Sequence, residues 1–177
     1  MERVTRKAAF LDRDGTINEK PEEHEYVTRV EGFHLLPGAV RGLTKLADCG
    51  YALVVVSNQR GVARGLVSHD LLRATEEVLQ EALRPHGAEI AAFYYCPHEL
   101  DEDCECRKPR PGMLLQAASE LDLDLSTSWM IGDSPSDIEA GRSAGCRTVY
   151  LGDQAEPDST LGADSLEAAA TSICADP

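Results

Sequence analysis

The segment Phe10-Leu-Asp-Arg-Asp-Gly-Thr-Ile-Asn18 places two carboxylates, Asp12 and Asp14, at the end of a short apolar run. Two residues apart at a strand end puts both on one side, where they repel unless a cation lies between or beside them. Three other segments offer matching groups: Ser57-Asn58-Gln59, Arg107-Lys108-Pro109 and Gly132-Asp133-Ser134-Pro135-Ser136-Asp137. Carboxylates, a hydroxyl and a lysine on one rim are what a metal-assisted phosphoryl transfer requires. Mg²⁺ takes oxygen ligands and usually few protein carboxylates. Asp12 and Asp133 could supply them, and the chain at Asp14 a carbonyl. A carboxylate can act as a nucleophile, and a second one can protonate the leaving alcohol and then activate water. Lys108 would balance the phosphoryl charge, and Ser57 would donate a hydrogen bond to it.

These groups converge only if the chain brings four segment ends together. Ala8–Leu11, Ala52–Val56, Ala91–Tyr95, Trp129–Ile131 and Thr148–Leu151 read as strands. The second is a continuous β-branched run of the kind buried on both faces of a sheet. Helices are expected over Pro37–Cys49, from a cap at Ser68, over Pro111–Leu121 with Leu114, Leu115, Ala118 and Leu121 inward, and over Pro135–Ala144. A last helix over Asp164–Ile173 is a weaker pattern. This alternation predicts an α/β fold, a doubly wound, mostly parallel sheet with helices on both faces. Ligands on such sheets bind beyond the carboxyl ends of the strands.

A second constellation, Cys96-Pro-His98 followed by Cys104-Glu-Cys106, gives three thiols and an imidazole in eleven residues. Cys96, His98, Cys104 and Cys106 suit a closed, tetrahedral, structural Zn²⁺ site. The loop runs directly into Arg107 and Lys108, so a rigid metal loop would hold both basic side chains in place. Cys49, Cys146 and Cys174 read as small buried or half-buried fillers, because no disulfide framework is expected in a chain of 177 residues without an export signal. The remaining histidines, His24, His34, His69 and His86, show no partner spacing.

The formal net charge of -14 argues against nucleic acid or an anionic membrane as partner. The N-terminal stretch is no secretory signal, and no run reaches the length of a membrane span. A cytoplasmic protein is the default expectation, and nothing in the sequence demands more than a monomer. Against the acidic background, Arg60 and Arg64 cluster near one loop, and Arg107, Lys108 and Arg110 near another.

"DRDGT", "VVVSNQ", "RKPRPG" and "IGDSPSD" resemble, in order, the four motifs of haloacid-dehalogenase (HAD) superfamily phosphatases, from about Ala8 to Leu151. The resemblance implies a Rossmann-like HAD fold with Asp12 as nucleophile and Asp14 as general acid/base. Ser57 and Lys108 would hold the phosphoryl group. Asp12, the Asp14 carbonyl and Asp133 would hold Mg²⁺, with Asp137 an additional acid of the fourth motif. Residues 1–177 then read as one phosphatase domain, with a zinc loop at 96–106 and an acidic C-terminal tail at 152–177. Many relatives insert a large cap domain. Here the first insertion site is short and the later one is merely the zinc loop, so a capless, open site is expected.

Within the superfamily the zinc loop is similar to that of two groups, the D-glycero-D-manno-heptose-1,7-bisphosphate 7-phosphatases and the histidinol-phosphatases. "SNQRGVARG" and "CRKPRPGMLLQA" look more like the heptose group; the short gap between His98 and Cys104 looks more like the histidinol group. Arg60 and Ser134 depart from both. Asn58, Arg60, Arg64, Arg107 and Arg110 are candidate substrate-binding residues. Basic loops suit the second anionic group of a sugar bisphosphate, whereas a cationic amino alcohol would call for Asp or Glu there. Two non-enzymes compete with this reading. A receiver-like phospho-acceptor domain uses similar rim groups, but lacks the second acid of D-x-D-G-T and any zinc loop. A zinc-organised binding protein that had lost catalysis would not need every catalytic residue type, and all are present.

Overall fold

The computed structural model describes residues 5–153 and 156–175. Six parallel strands form one sheet in the order β3-β2-β1-β4-β5-β6. They are β1 (Ala8–Leu11), β2 (Ala52–Asn58), β3 (Ile90–Cys96), β4 (Trp129–Gly132), β5 (Arg147–Leu151) and β6 (Leu161–Ala163). The helices are α1 (Ala39–Asp48), α2 (His69–Leu83), α3 (Gly112–Glu120), α4 (Pro135–Ala144) and α5 (Leu166–Ala175). The sheet grows outward from β1 in both directions, so the order switches between β1 and β4.

Strand pleating sorts the core. Ala9, Leu11, Leu53 and Val55 face α1, α2 and α5, while Ala8, Phe10, Val54 and Val56 face α3 and α4. Both sets are buried, which is why the strands read as unbroken apolar runs. Trp129 is fully buried at the start of β4, with the guanidinium of Arg147 4.1 Å from its ring centre.

Three expectations need correction. In α3 the buried face is Met113, Leu114 and Ala117, and Leu115 is 46% exposed. The helix starts at Gly112 and turns that face to the sheet, leaving Ala118 and Leu121 at its margin. Residues 161–175 are more than an acidic tail: β6 extends the sheet, and α5 buries Leu166, Ala169, Ala170 and Ile173 against α1. Cys49 and Cys174 are not separate fillers, because they form a disulfide across α1 and α5 with Cα atoms 6.0 Å apart. Residues 125 positions apart in sequence carry no local spacing signal for such a pair. Cys146 is a buried free thiol, pushed up to about 12 by burial.

Between β1 and α1 the only helical element is a single turn at Val30–Gly32, and between β3 and α3 lies the Cys/His loop. No helix among the described residues is long and apolar enough to cross a membrane.

Candidate active site

The carboxyl ends of β1, β2 and β4 meet at one rim. The backbone N–H of Asp12 donates to the Ile131 carbonyl at 3.0 Å, which registers the end of β1 against the end of β4. A cavity of about 160 Å³ opens there, lined by Asp12, Asp14, Lys20, Ser57, Asn58, Lys108, Asp133, Ser134, Ser136 and Asp137. The segments that carry Asp12, Ser57, Lys108 and Asp133 therefore do share one site.

Lys108 is its electrostatic centre. It is 3% exposed, and its Nζ lies 2.7 Å from Asp12 Oδ1, 2.7 Å from Asp137 Oδ1 and 2.8 Å from the Val56 carbonyl. Burial works against the ammonium, but Asp12 and Asp137 outweigh it and raise its pKa. Asn58 fixes the backbone of the same residue: its Oδ1 accepts from the Lys108 N–H and its Nδ2 donates to the Lys108 carbonyl, both at 3.1 Å. The Lys108–Pro109 peptide is cis.

Asp12 is driven the other way. Burial raises its pKa most; Lys108 lowers it, and Asp137 and Asp133 raise it again, to about 7 in all. Lys108 alone does not offset burial and the neighbouring acids, and a second cation beside Asp12 would favour its ionised form. The acid oxygens of Asp12, Asp133 and Asp137 lie within 4.8 Å of one another. Asp133 Oδ1 is buried without a hydrogen-bond partner, as a hard-cation ligand can be. Asp137 is largely committed elsewhere: its Oδ1 pairs with Lys108 and its Oδ2 accepts from the N–H and hydroxyl of Ser134. These oxygens fit a Mg²⁺ site, chiefly through Asp12 and Asp133.

Two glycines make room for this packing. A Cβ on Gly15, whose φ is +92°, would lie 2.3 Å from Asp133 Oδ2, and one on Gly132 would lie 2.2 Å from Asp137 Oδ2.

Asp14 belongs to a different network. The Asp12 carboxylate pairs with Lys108, and the Asp14 carboxylate with Arg13. The carboxylate of Asp14 accepts from Arg13 Nη2 at 3.1 Å, Asn18 Nδ2 at 2.9 Å and Gln59 Nε2 at 2.8 Å. Gln59 also donates to Ser57 Oγ at 3.0 Å, linking the hydroxyl to the acid. Arg13 is 3% exposed, and Phe33 flanks its guanidinium at 5.5 Å from the ring centre.

Arg13, Asn18, Gln59 and Lys20 are thus members of the site that the sequence reading did not single out. Arg13, Asn18 and Gln59 lie inside or beside the quoted motifs, so adjacency was the only available signal. Lys20 Nζ reaches Asp133 Oδ2 at 2.6 Å from outside every motif. Burial works against its charged form, but Asp133, with Asp12 and Asp137 behind it, raises its pKa.

The expected substrate-binding residues divide. Asn58 lines the cavity, but its side chain is occupied by Lys108. Arg64 pairs with Glu99 at 2.7 Å; Arg60 lies 3.5 Å from the same carboxylate and donates to the Tyr26 hydroxyl at 3.2 Å. Glu99 thus joins the 59–67 loop to the Cys/His loop. Arg107 and Arg110 line a neighbouring cavity of about 310 Å³ that shares Lys108 with the first. Arg110 is held by Asp103 at 2.7 Å.

In the Cys/His loop the donor atoms of Cys96, His98, Cys104 and Cys106 also lie within 4.8 Å of one another. Burial and then the neighbouring thiols Cys96 and Cys104 push the Cys106 thiol up to about 12. For Cys104, burial opposes ionisation, but the N–H of Arg107 and the adjoining thiols outweigh it and lower the pKa. Three crowded thiols cannot all ionise without a soft cation, and the S₃N donor set fits zinc.

A parallel sheet with paired acids, a buried lysine and a hydroxyl at its switch point defines a HAD-type phosphatase. The family model for HAD-hydrolase-like proteins matches residues 105–175. The crystal structure of D,D-heptose 1,7-bisphosphate phosphatase from B. bronchiseptica, complexed with magnesium and phosphate, superposes with a TM-score of 0.88. It is 31% identical, and the match covers 97% of this chain and 99% of that one. A D-glycero-β-D-manno-heptose-1,7-bisphosphate 7-phosphatase of Pasteurella multocida (strain Pm70) is 42% identical over 82% of this chain and 81% of its own length. A relative in Photorhabdus laumondii named for the α-anomer is 38% identical, covering 86% of each chain. The chain belongs to the heptose-bisphosphate phosphatase family of HAD hydrolases.

Proposed function

We propose that this protein removes the 7-phosphate of D-glycero-D-manno-heptose 1,7-bisphosphate through an aspartyl-phosphate on Asp12. The observation that carries the reading is the convergence of Asp12, Ser57, Lys108 and Asp133 on one small cavity at the sheet's switch point. Asp12 attacks phosphorus in line with the ester oxygen. The P–O bond to the sugar breaks as Asp14 gives its proton to the leaving oxygen. Asp14 then takes a proton from water, whose oxygen attacks the same phosphorus, and the Asp12–phosphorus bond breaks to release phosphate. Lys108 and Ser57 hold the phosphoryl oxygens throughout. Arg13, Asn18 and Gln59 orient Asp14 between the two proton transfers. Mg²⁺, held by Asp12, Asp133 and the Asp14 carbonyl, would neutralise the combined charge of acid and phosphate when bound.

Zinc held by Cys96, His98, Cys104 and Cys106 would stiffen the loop that leads into Arg107 and Lys108. The cavity beside Lys108 offers Arg107 and Arg110 for the second phosphate of a bisphosphate. Arg60 and Arg64 could join them by leaving Glu99. The relatives include enzymes named for each anomer, so the sugar anomer is left open.

The test is kcat/KM on a panel of both heptose bisphosphate anomers, simple sugar phosphates and histidinol phosphate. A bisphosphate is expected to lead. Preference for histidinol phosphate would replace the substrate assignment, and full turnover by Asp12→Asn would end the mechanism.

A further inference from the structure

Two lysines flank the acid cluster, and they differ in kind. Lys108 is enclosed and holds three acceptors at once. The side chain of Lys20 is 57% exposed and meets the cluster through Asp133 Oδ2 alone, at 2.6 Å. Its backbone belongs to the segment that follows Asn18, outside the strand ends that fix the other groups. Asp133 cannot follow Lys20 freely, because its carboxylate is packed against Gly15. The other oxygen of Asp133 is buried and unpartnered.

We infer that Lys20 is an exchangeable counter-cation: it competes with the divalent metal for Asp133 and, once displaced, pairs with the phosphoryl dianion at the cavity mouth. The inference rests on the phosphatase reading. A dication on the unpartnered Oδ1 of Asp133 draws on the same carboxylate charge that holds the ammonium at Oδ2, and the two positive charges repel at that distance. An exposed lysine–carboxylate pair is weak, so the competition changes metal affinity by a factor of about 2–5 and does not abolish it. The four-carbon stem lets the ammonium withdraw by bond rotation while staying beside the cavity. There it adds a third positive group for the incoming dianion, beside Lys108 and the metal. One residue therefore pushes metal affinity and anion affinity in opposite directions, which a merely structural lysine would not do.

The experiment compares wild type with Lys20→Met. Mg²⁺ binding is followed by titration calorimetry without substrate. Inorganic phosphate is then used as a competitive inhibitor of p-nitrophenyl phosphate hydrolysis at saturating Mg²⁺. Lys20→Met is expected to bind Mg²⁺ about 2–5-fold more tightly and phosphate about 3–10-fold more weakly, with an unchanged thermal midpoint. Lys20→Arg keeps the charge and is expected to hold phosphate nearly as well as wild type. Equal or weaker Mg²⁺ binding by Lys20→Met overturns the competition, and an unchanged inhibition constant overturns the pairing with phosphate. Failure of the wild type to hydrolyse any phosphomonoester would sink the phosphatase reading, while the calorimetric comparison would still decide whether Lys20 competes with metal.

Discussion

Nζ of Lys108 lies 2.7 Å from Oδ1 of Asp12 and at the same distance from Oδ1 of Asp137. One buried ammonium thus serves two carboxylates, and each acid depends on it. Lys108→Met would leave both without their protein cation. Breaking a buried pair from one side costs about 3–5 kcal/mol, because the remaining charge is uncompensated. Urea unfolding at pH 7.5 should show that loss. Turnover should fall by roughly 100-fold or more, since the proposed donor to the phosphoryl group goes with it. A stable, active Lys108→Met enzyme would contradict this assignment of the site.

Asp12 gives the pH dependence a definite sign. Burial lifts its pKa from 3.8 to about 7 in the metal-free fold. An acid whose folded pKa is raised favours folding below its unfolded pKa, and that contribution is lost as pH rises through the folded value. Without added magnesium, wild type should lose stability relative to Asp12→Asn between about pH 4 and pH 7. The whole difference is on the order of 4 kcal/mol. Added Mg²⁺ should stabilise wild type more at pH 8 than at pH 5. Thermal midpoints of both proteins across that range provide the check.

Gln59 spans two functional groups, donating to Asp14 Oδ2 at 2.8 Å and Ser57 Oγ at 3.0 Å. Gln59→Leu keeps the volume and removes both donors. Each buried group left unsatisfied costs about 1–3 kcal/mol. A drop in kcat of roughly 10–100-fold is expected, with KM for p-nitrophenyl phosphate changed little, because Asp14, the proposed proton-transfer acid, is no longer held. Steady-state kinetics separate the two constants, and a rise in KM alone would assign Gln59 to binding.

The Cys/His loop reaches the active site through the chain itself, since Cys106 is two residues before Lys108. Arg110 also donates to the Cys104 carbonyl at 2.6 Å, tying the far side of Lys108 back to the loop. Cys104→Ala should therefore lower both the thermal midpoint and turnover, and a zinc-specific chelator should reproduce both effects in wild type. Metal content by mass spectrometry is expected to fall in parallel. A zinc-stripped, folded protein with unaltered turnover would confine the loop to a remote role.

The site was legible where chemistry and chain geometry coincide. Asp12, Ser57 and Asp133 sit at or just beyond the ends of apolar strands, and alternation of strand and helix is enough to bring such ends to one rim. Lys108 was marked by its neighbours in "RKPRPG". Partners chosen by packing were not legible. Arg13 faces Asp14, and Asn58 is consumed by the Lys108 backbone; neither choice follows from spacing. Lys20 crosses to Asp133 from an irregular segment that has no periodicity to read. The edge strand Leu161–Ala163 is three residues long, too short for a pattern to emerge.

The disulfide between Cys49 and Cys174 follows the same rule, because only the packing of α1 on α5 brings the two thiols together. Its consequence can be measured. The crosslink closes a long loop, with a sequence separation of 125, so its removal releases substantial unfolded-chain entropy. Loops of that size are worth about 2–4 kcal/mol in practice. Cys174→Ser should lower the urea midpoint accordingly and make it insensitive to a phosphine reductant, whereas the same reductant should bring wild type down to the Cys174→Ser value. Turnover should be unaffected at temperatures where both proteins remain folded, because none of the residues lining the catalytic cavity comes from α1 or α5. Equal midpoints for oxidised wild type and Cys174→Ser would mean that the apolar contacts of α5, with Leu166, Ala169, Ala170 and Ile173 buried, already hold the helix in place without the bond.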